Sequence, residues 1–234
     1  MPTAAKRTAL RSVSLSLVGP LADENDMDDD FQRPPQRETR PLRHFALMAA
    51  VFEGGLVAVA MGLGWLVGQD PLQSFRWSLA DAGWGLVATL PLLALLWLCL
   101  KCPLGPMKHM VQVVDELLVP LFRDCRILDL AVISALAGLS EEMLFRGVIQ
   151  QTVADRMSAE AGMWIGLAVA AILFGLAHRV TNTYAIFAGL IGLYLGAVWL
   201  MSGNLLVPVT AHALYDFLAL LYLAKIRRTP TASI

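Results

Sequence analysis

Six apolar segments, each close to the length that a helix needs to cross a bilayer, dominate this sequence. A transmembrane helix requires about 20 mostly apolar residues. Only 16% of the 234 residues are charged and 57% are hydrophobic, whereas about a quarter of the residues in a soluble domain are charged. This composition excludes an ordinary soluble enzyme, and we predict an all-α, polytopic membrane protein with about six transmembrane helices. The predicted spans cover approximately residues 45–68, 82–100, 128–151, 161–178, 183–201 and 204–224.

One further helix is predicted between the second and third spans, in residues 103–124. Apolar side chains recur there at helical spacing, with charged residues on the other faces. This pattern is typical of an amphipathic helix that lies in the membrane interface. The apolar positions are Met107, Met110, Val111, Val114, Leu117 and Leu118.

The distribution of charge predicts how the chain is organised and oriented. Residues 1–44 are polar and carry dense mixed charge, so we predict a disordered tail, followed by N-terminal helices in 45–125, a membrane core in 126–228 and a short tail in 229–234. Twelve Lys or Arg residues flank the spans on one side, and only Arg76 and Arg156 lie on the other. The positive-inside rule then makes both termini cytoplasmic. The net charge of −1 indicates no nucleic-acid partner.

Three of the predicted spans contain ionisable residues at their ends or in their interiors. Such a residue costs at least about 2.5–3.5 kcal/mol to insert and is a functional hypothesis by default. The polar groups and their apolar neighbour form three short motifs, Glu141-Glu142-xxx-Arg146, Phe174-xxx-His178 and His212-xxx-Asp216.

Helical geometry separates the two adjacent glutamates. Glu142 and Arg146 are four residues apart and face each other, which predicts an ion pair within the helix. Glu141 is rotated by about 100° from Glu142 and cannot share that pair equally. We therefore interpret Glu142 and Arg146 as a structural brace and Glu141 as the free carboxylate.

The two histidines also have partners at helical spacing. His212 and Asp216 lie one turn apart, so an imidazole and a carboxylate share one helix face. Phe174 precedes His178 by one turn and is expected to pack beside its ring. Glu53, eight residues into the first span, has no evident cation and is a weaker candidate for a role in a cavity.

If these faces converge, the residues suit a hydrolysis that uses water. Glu141 would take a proton from water as a general base, His178 would orient the water, and His212 would stabilise the oxyanion. Zinc could instead be bound by Glu141, His178 and His212. The sequence has no HExxH motif, so we expect no metal or other cofactor.

These motifs resemble the CPBP family of intramembrane peptidases, which includes the type II CAAX prenyl endopeptidases. The family pattern is EExxxR, then FxxxH, then HxxxN or HxxxD, on successive hydrophobic segments. The resemblance covers roughly residues 126–224 and implies a helical core with a polar cavity that faces the cytoplasm. It also implies cleavage near the C-terminus of a membrane-associated protein or peptide.

By motif position, the resemblance implies that Glu141, His178, His212 and Asp216 are catalytic. Asp216 stands where many members carry Asn, and an ionised Asp cannot donate a hydrogen bond to an oxyanion. In a prokaryote, the expected location is the inner or plasma membrane.

Two other functions stay open from the sequence alone. Each motif by itself is compatible with a purely structural ion pair or hydrogen bond, which would fit a non-catalytic membrane scaffold or immunity protein on the same fold. A small transporter or proton-coupled carrier is the third hypothesis, and the lack of an evident internal repeat counts against it.

Overall fold

The computed structural model describes residues 40–101 and 104–227, and within them the secondary structure is helical with no β-strand. This confirms the predicted all-α fold. We label the α-helices and the intervening π-helical segments in chain order. They are α1 (Arg40–Val67), α2 (Leu79–Lys101), α3 (Gly105–Val113), π1 (Val114–Leu118), α4 (Val119–Arg123), α5 (Ile127–Glu142), π2 (Met143–Gln150), α6 (Gln151–Asp155), α7 (Ala159–Ala177), α8 (Asn182–Ser202), α9 (Leu206–Leu221) and π3 (Tyr222–Ile226).

Five of the described helices are long and apolar enough to cross a membrane, and they correspond to five of the six predicted spans. Large apolar side chains on their outer faces are exposed, for example Trp65 and Trp97, as expected where lipid replaces water. The five spans are Phe45–Val67, Leu79–Lys101, Ala159–Ala177, Asn182–Ser202 and Leu206–Ile226.

The predicted third span, 128–151, differs from the other five. Its α-helical part, α5, has 16 residues and continues without a break through π2 into α6. The charged residues of this run lower its mean hydropathy, and π2 widens the helix at the centre of the run. Single π-turns inside α-helices are frequent at functional sites, and this one begins directly after Glu142.

The boundaries at the two ends of the chain differ from the prediction or lie outside the described residues. Helix α1 begins at Arg40, so the last residues of the predicted disordered segment 1–44 are helical. Pro41 is tolerated there because the first turn of a helix needs no N–H donor, and the arginine and leucine that follow favour helix formation. Residues 1–39 and the predicted tail 229–234 are outside the described part of the chain.

The predicted interfacial helix forms as α3, π1 and α4, and it packs across the ends of the spans. Edge-to-face packing of Phe122 on Phe45 joins it to α1, with 5.2 Å between the ring centroids. An ion pair of 2.8 Å between Arg227 Nη1 and Asp115 Oδ1 joins it to the segment that follows π3. The amphipathic segment is therefore fixed against the bundle at both of these points.

Helix α9 lies between α2 and α5 and packs closely against both. At Gly138 of α5, an added Cβ would lie 2.7 Å from the backbone nitrogen of Ala213 in α9. Real Cβ atoms do not approach so closely, so the absence of a side chain sets the distance between these two helices. This close packing places the polar residues of α5 and α9 next to each other.

We expect Gly138→Ala to destabilise the protein by about 1–3 kcal/mol, because overpacking at this contact has to push α9 away from α5. Gly55→Ala is the matched control, since a Cβ on this helical glycine meets nothing within 4 Å. Thermal unfolding of the two variants in detergent would measure the difference. Equal stability of the variants would contradict the close contact between α5 and α9.

Candidate active site

A cavity of about 520 Å³ opens at the end of the bundle where α2, α7 and π3 end. Its wall is mainly apolar, and the amphipathic segment formed by α3, π1 and α4 contributes part of it. The four residues predicted to be catalytic all line this cavity. They come from three parts of the chain, with Glu141 from α5, His178 from the end of α7, and His212 and Asp216 from α9.

Glu141 and His178 lie next to each other in the wall of the cavity. The distance from Glu141 Oε2 to His178 Nε2 is 3.5 Å, and Glu141 is only 8% exposed. Glu141 Oε2 is buried and makes no hydrogen bond within the described structure. A carboxylate in this position is available to accept a proton from a water molecule that also contacts His178.

The orientation of His178 is fixed by Phe174. The two rings stack with 4.5 Å between their centroids and 21° between their planes, as the spacing of four residues predicted. His178 Nδ1 lies 2.9 Å from the Phe174 carbonyl oxygen, and because a carbonyl can only accept, Nδ1 carries the hydrogen. Nε2 therefore points toward Glu141.

The charge on His178 depends on the same two neighbours. This residue lies just beyond the end of the membrane-spanning segment Ala159–Ala177. Burial lowers the pKa of the imidazole, but the Glu141 carboxylate and the Phe174 carbonyl raise it by more, so the net pKa shift is upward.

Glu142 and Arg146 form the ion pair that helical spacing predicted. Arg146 Nε lies 3.0 Å from Glu142 Oε2, and both side chains are completely buried. The guanidinium also donates a hydrogen bond of 2.9 Å to the carbonyl oxygen of Gly192 and lies 5.2 Å from the centre of the Phe174 ring. This pair therefore connects α5 and π2 to α8 and to the aromatic ring beneath His178.

Glu142 has a second partner that the sequence analysis missed. Its Oε1 lies 2.9 Å from His212 Nδ1, so one carboxylate holds both Arg146 and His212. On the other side of the ring, His212 Nε2 lies 3.5 Å from Asp216 Oδ2. Each ring nitrogen of His212 thus faces a carboxylate oxygen, and both nitrogens can donate only when the ring carries two protons.

The described residues do not fit a metal site. No group of three or more His, Cys, Asp or Glu side chains among them is arranged to hold a metal ion. His212 Nδ1 is taken by Glu142, and the remaining donors lie in separate carboxylate–imidazole pairs. The set of Glu141, His178 and His212 considered for zinc is therefore not assembled as ligands.

Glu53, the weaker candidate predicted from the sequence, lies in the wall of the cavity. Its Oε2 accepts a hydrogen bond of 2.9 Å from Ser140 Oγ. This contact could not be predicted from the sequence, because Ser140 and Glu53 lie on different helices.

Comparison with curated proteins gives two bacterial relatives of unassigned function. The chain is 36% identical over 98 residues to the "Uncharacterized 24.3 kDa protein" of Escherichia coli, a match that covers 41% of this chain and 44% of the relative. It is 33% identical over 87 residues to the "Uncharacterized protein YpbD" of Bacillus subtilis (strain 168), covering 36% of this chain and 40% of the relative. The chain thus spans less than half the length of these two relatives.

No solved structure gave a significant match. A family model, in contrast, matches the part of the chain that holds the three motifs. Residues 124–218 match the model of the type II CAAX prenyl endopeptidase Rce1-like family. This range includes α5, π2 and most of α9, and all four residues predicted to be catalytic lie within it. Over residues 124–218 the chain is therefore similar to the type II CAAX prenyl endopeptidase Rce1-like family.

Proposed function

We propose that this protein is a membrane-embedded endopeptidase that hydrolyses peptide bonds near the C-terminus of membrane-associated proteins or peptides. The observation that carries the proposal is that Glu141, His178 and His212 all line the same cavity. Three helices contribute these residues, and a purely structural ion pair would not require a cavity beside it. The family of residues 124–218 supports the same chemistry.

In the proposed reaction, Glu141 acts as the general base. Water bound between Glu141 and His178 gives a proton to Glu141 Oε2 while its oxygen attacks the carbonyl carbon of the substrate. The carbonyl oxygen becomes an oxyanion. When the C–N bond breaks, the leaving amine takes the proton from Glu141, so one water molecule is consumed and a carboxyl group and an amine are released.

His212 is the proposed electrophile that stabilises the oxyanion. Its Nδ1 is held by Glu142 at 2.9 Å, which fixes the ring and leaves Nε2 facing the cavity. The separation of 3.5 Å from Asp216 is longer than a good hydrogen bond, so the Nε2 hydrogen remains available to an incoming oxyanion. Asp216 is the proposed counter-ion of this ring.

The side of the membrane on which the reaction takes place follows from the orientation that the Lys and Arg distribution predicts. With both termini in the cytoplasm, the cavity opens on the cytoplasmic side, because it lies at the end of the bundle next to Arg179 and Arg227. The proposed substrate therefore enters from the cytoplasmic half of the bilayer. It is a polypeptide anchored to the membrane, and the proposal includes no nucleic acid.

The proposal is tested by profiling protein C-termini in membrane fractions that contain the wild-type protein or Glu141→Gln. Substrates that keep their original C-termini only with the variant would establish the activity and identify the substrate class. The abundance of the variant is checked in the same fractions. Identical profiles at equal abundance would overturn the proposal and favour the scaffold hypothesis.

We expect the proposed cleavage to be independent of metal, because Glu141 and the histidines supply the base and the electrophile themselves. Treatment of the purified protein with a strong chelator is expected to change the cleavage rate by less than about twofold. Removal of a catalytic ion would slow cleavage far more, because such an ion contributes several kcal/mol to catalysis. Loss of cleavage that is restored by added zinc would contradict the metal-free reaction and leave the peptidase assignment in place.

A further inference from the structure

Glu53 brings a third carboxyl group to the wall of the cavity, from a helix outside the family-matched range 124–218. It lies on α1, within the span Phe45–Val67, and lines the cavity together with Glu141 and Asp216. A carboxyl group within a span is costly and indicates a function by default. The chemistry proposed above does not use Glu53.

The position of Glu53 is fixed by one neutral hydrogen bond. Ser140 Oγ donates to Glu53 Oε2 at 2.9 Å, and Ser140 is completely buried. Within the described structure, this is the one side-chain hydrogen bond of Glu53. Glu53 and Glu141 line the same cavity, so the Glu53 carboxyl group shares that cavity with the proposed general base.

Glu53 differs from the other carboxylates around the cavity because it forms no direct ion pair with a basic side chain of the described residues. No side-chain nitrogen of the described residues pairs with it. Every other carboxylate there lies within 3.5 Å of a basic nitrogen, with Glu141 next to His178, Asp216 next to His212, and Glu142 next to both Arg146 and His212.

We propose that Glu53 is a specificity-determining residue that binds a basic side chain of the substrate near the scissile bond. This inference rests on the proposed peptidase function and adds a preference within it. A carboxylate in an apolar wall is stabilised by a cation that brings both charge and hydrogen-bond donors. Since no basic side chain of the described residues forms an ion pair with Glu53, a lysine or arginine of the substrate can take that position.

A neutral substrate group would satisfy Glu53 less well. A peptide N–H could donate to Oε1, but it would leave the charge of the carboxylate uncompensated in a mainly apolar cavity, which is costly. Residues next to the scissile bond lie within reach because Glu53 lines the same cavity as Glu141. The preference should therefore appear at positions close to the cleaved bond rather than at distant ones.

The test compares wild-type protein, Glu53→Gln and Glu160→Gln on a peptide library that is randomised around the scissile bond. Glutamine keeps the shape of Glu53 and can still accept from Ser140, so the variant is expected to fold. Glu160 is exposed in the first turn of α7 and provides the matched acid-to-amide control. At the most selective position, kcat/KM is measured for a lysine peptide and for its acetyl-lysine counterpart.

We expect the wild-type protein and Glu160→Gln to prefer the lysine peptide. In Glu53→Gln, the ratio of the two kcat/KM values should fall about 10- to 100-fold, the usual effect of a hydrogen bond to a charged group. Cleavage of the acetyl-lysine peptide should change little. If Glu53→Gln does not accumulate, the inference is tested with the wild-type protein alone. Equal cleavage of the lysine and acetyl-lysine peptides by the wild-type protein would then overturn the inference.

The outcomes separate the inference from the function on which it rests. An unchanged ratio in Glu53→Gln overturns the inference, while the peptidase function stands because cleavage is observed. Loss of cleavage of both peptides in an abundant Glu53→Gln protein also overturns it, since Glu53 would then be required for the reaction itself. If the wild-type protein and Glu141→Gln leave the library equally intact, the proposed function fails.

Discussion

Glu141→Gln is expected to abolish peptide cleavage while the protein continues to fold and to accumulate in the membrane. A positioned general base contributes about 10²–10⁴-fold to the rate, and an amide cannot accept the proton of the attacking water. The side-chain shape is almost unchanged, and Glu141 Oε2 makes no hydrogen bond within the described structure, so little stability should be lost. Purified protein would be assayed by mass spectrometry on a substrate identified from the C-terminal profile.

The matched control for this variant is Glu160→Gln, which makes the same chemical change at an exposed position at the start of α7. It should cleave at the wild-type rate. A Glu141→Gln protein that keeps more than about a tenth of the wild-type kcat would exclude Glu141 as the base, because the expected loss is at least about 10²-fold. The next residue to examine would then be Asp216, whose carboxylate lies 3.5 Å from His212.

Contacts between residues of one helix could be predicted from the sequence. Glu142 and Arg146 are four residues apart, as are Phe174 and His178, and the structure brings the members of each pair together. A helix places residues at this spacing on one face whatever the rest of the fold does. The five confirmed spans were predictable for a related reason, since hydropathy acts over a continuous stretch of chain.

Contacts between helices could not be predicted in the same way. The contact of Glu142 with His212 joins residues 70 positions apart, and that of Ser140 with Glu53 joins residues 87 positions apart. Both depend on which faces of the helices pack together, and apolar faces in lipid give little signal for this choice. The sequence therefore placed Glu142 in a brace but did not show that the brace also orients His212.

The π-helical turn at 143–150 was a second feature that the sequence did not reveal. Its residues read as the continuation of an apolar helix, and no proline marks an interruption. A π-turn adds a residue to the helical turn, so it changes which side chains follow Glu142 on the same face. Arg146 lies within this turn and still reaches Glu142, which makes their ion pair the local contact that ties π2 to α5.

Arg146→Ala is expected to be the most destabilising single substitution proposed for this protein. Removal of one partner of a buried ion pair costs about 3–5 kcal/mol, because the remaining charge has no compensation. Arg146 and Glu142 are both completely buried, and the variant also loses the hydrogen bond to the Gly192 carbonyl. The loss of stability should lower both the abundance of the variant in the membrane and its unfolding temperature in detergent. The variant should also hold His212 less firmly, because Glu142 contacts both Arg146 and His212.

A double-mutant cycle separates the ion pair from the loss of packing. If the uncompensated charge of Glu142 causes most of the damage, Arg146→Ala combined with Glu142→Gln should be less destabilising than the sum of the single variants, by at least about 1 kcal/mol. Arg156→Ala is the control for removing an arginine, since Arg156 is exposed, and it should change stability by less than about 0.5 kcal/mol. Additive single effects, or an Arg146→Ala protein as stable as Arg156→Ala, would show that the buried pair is not the brace of the site.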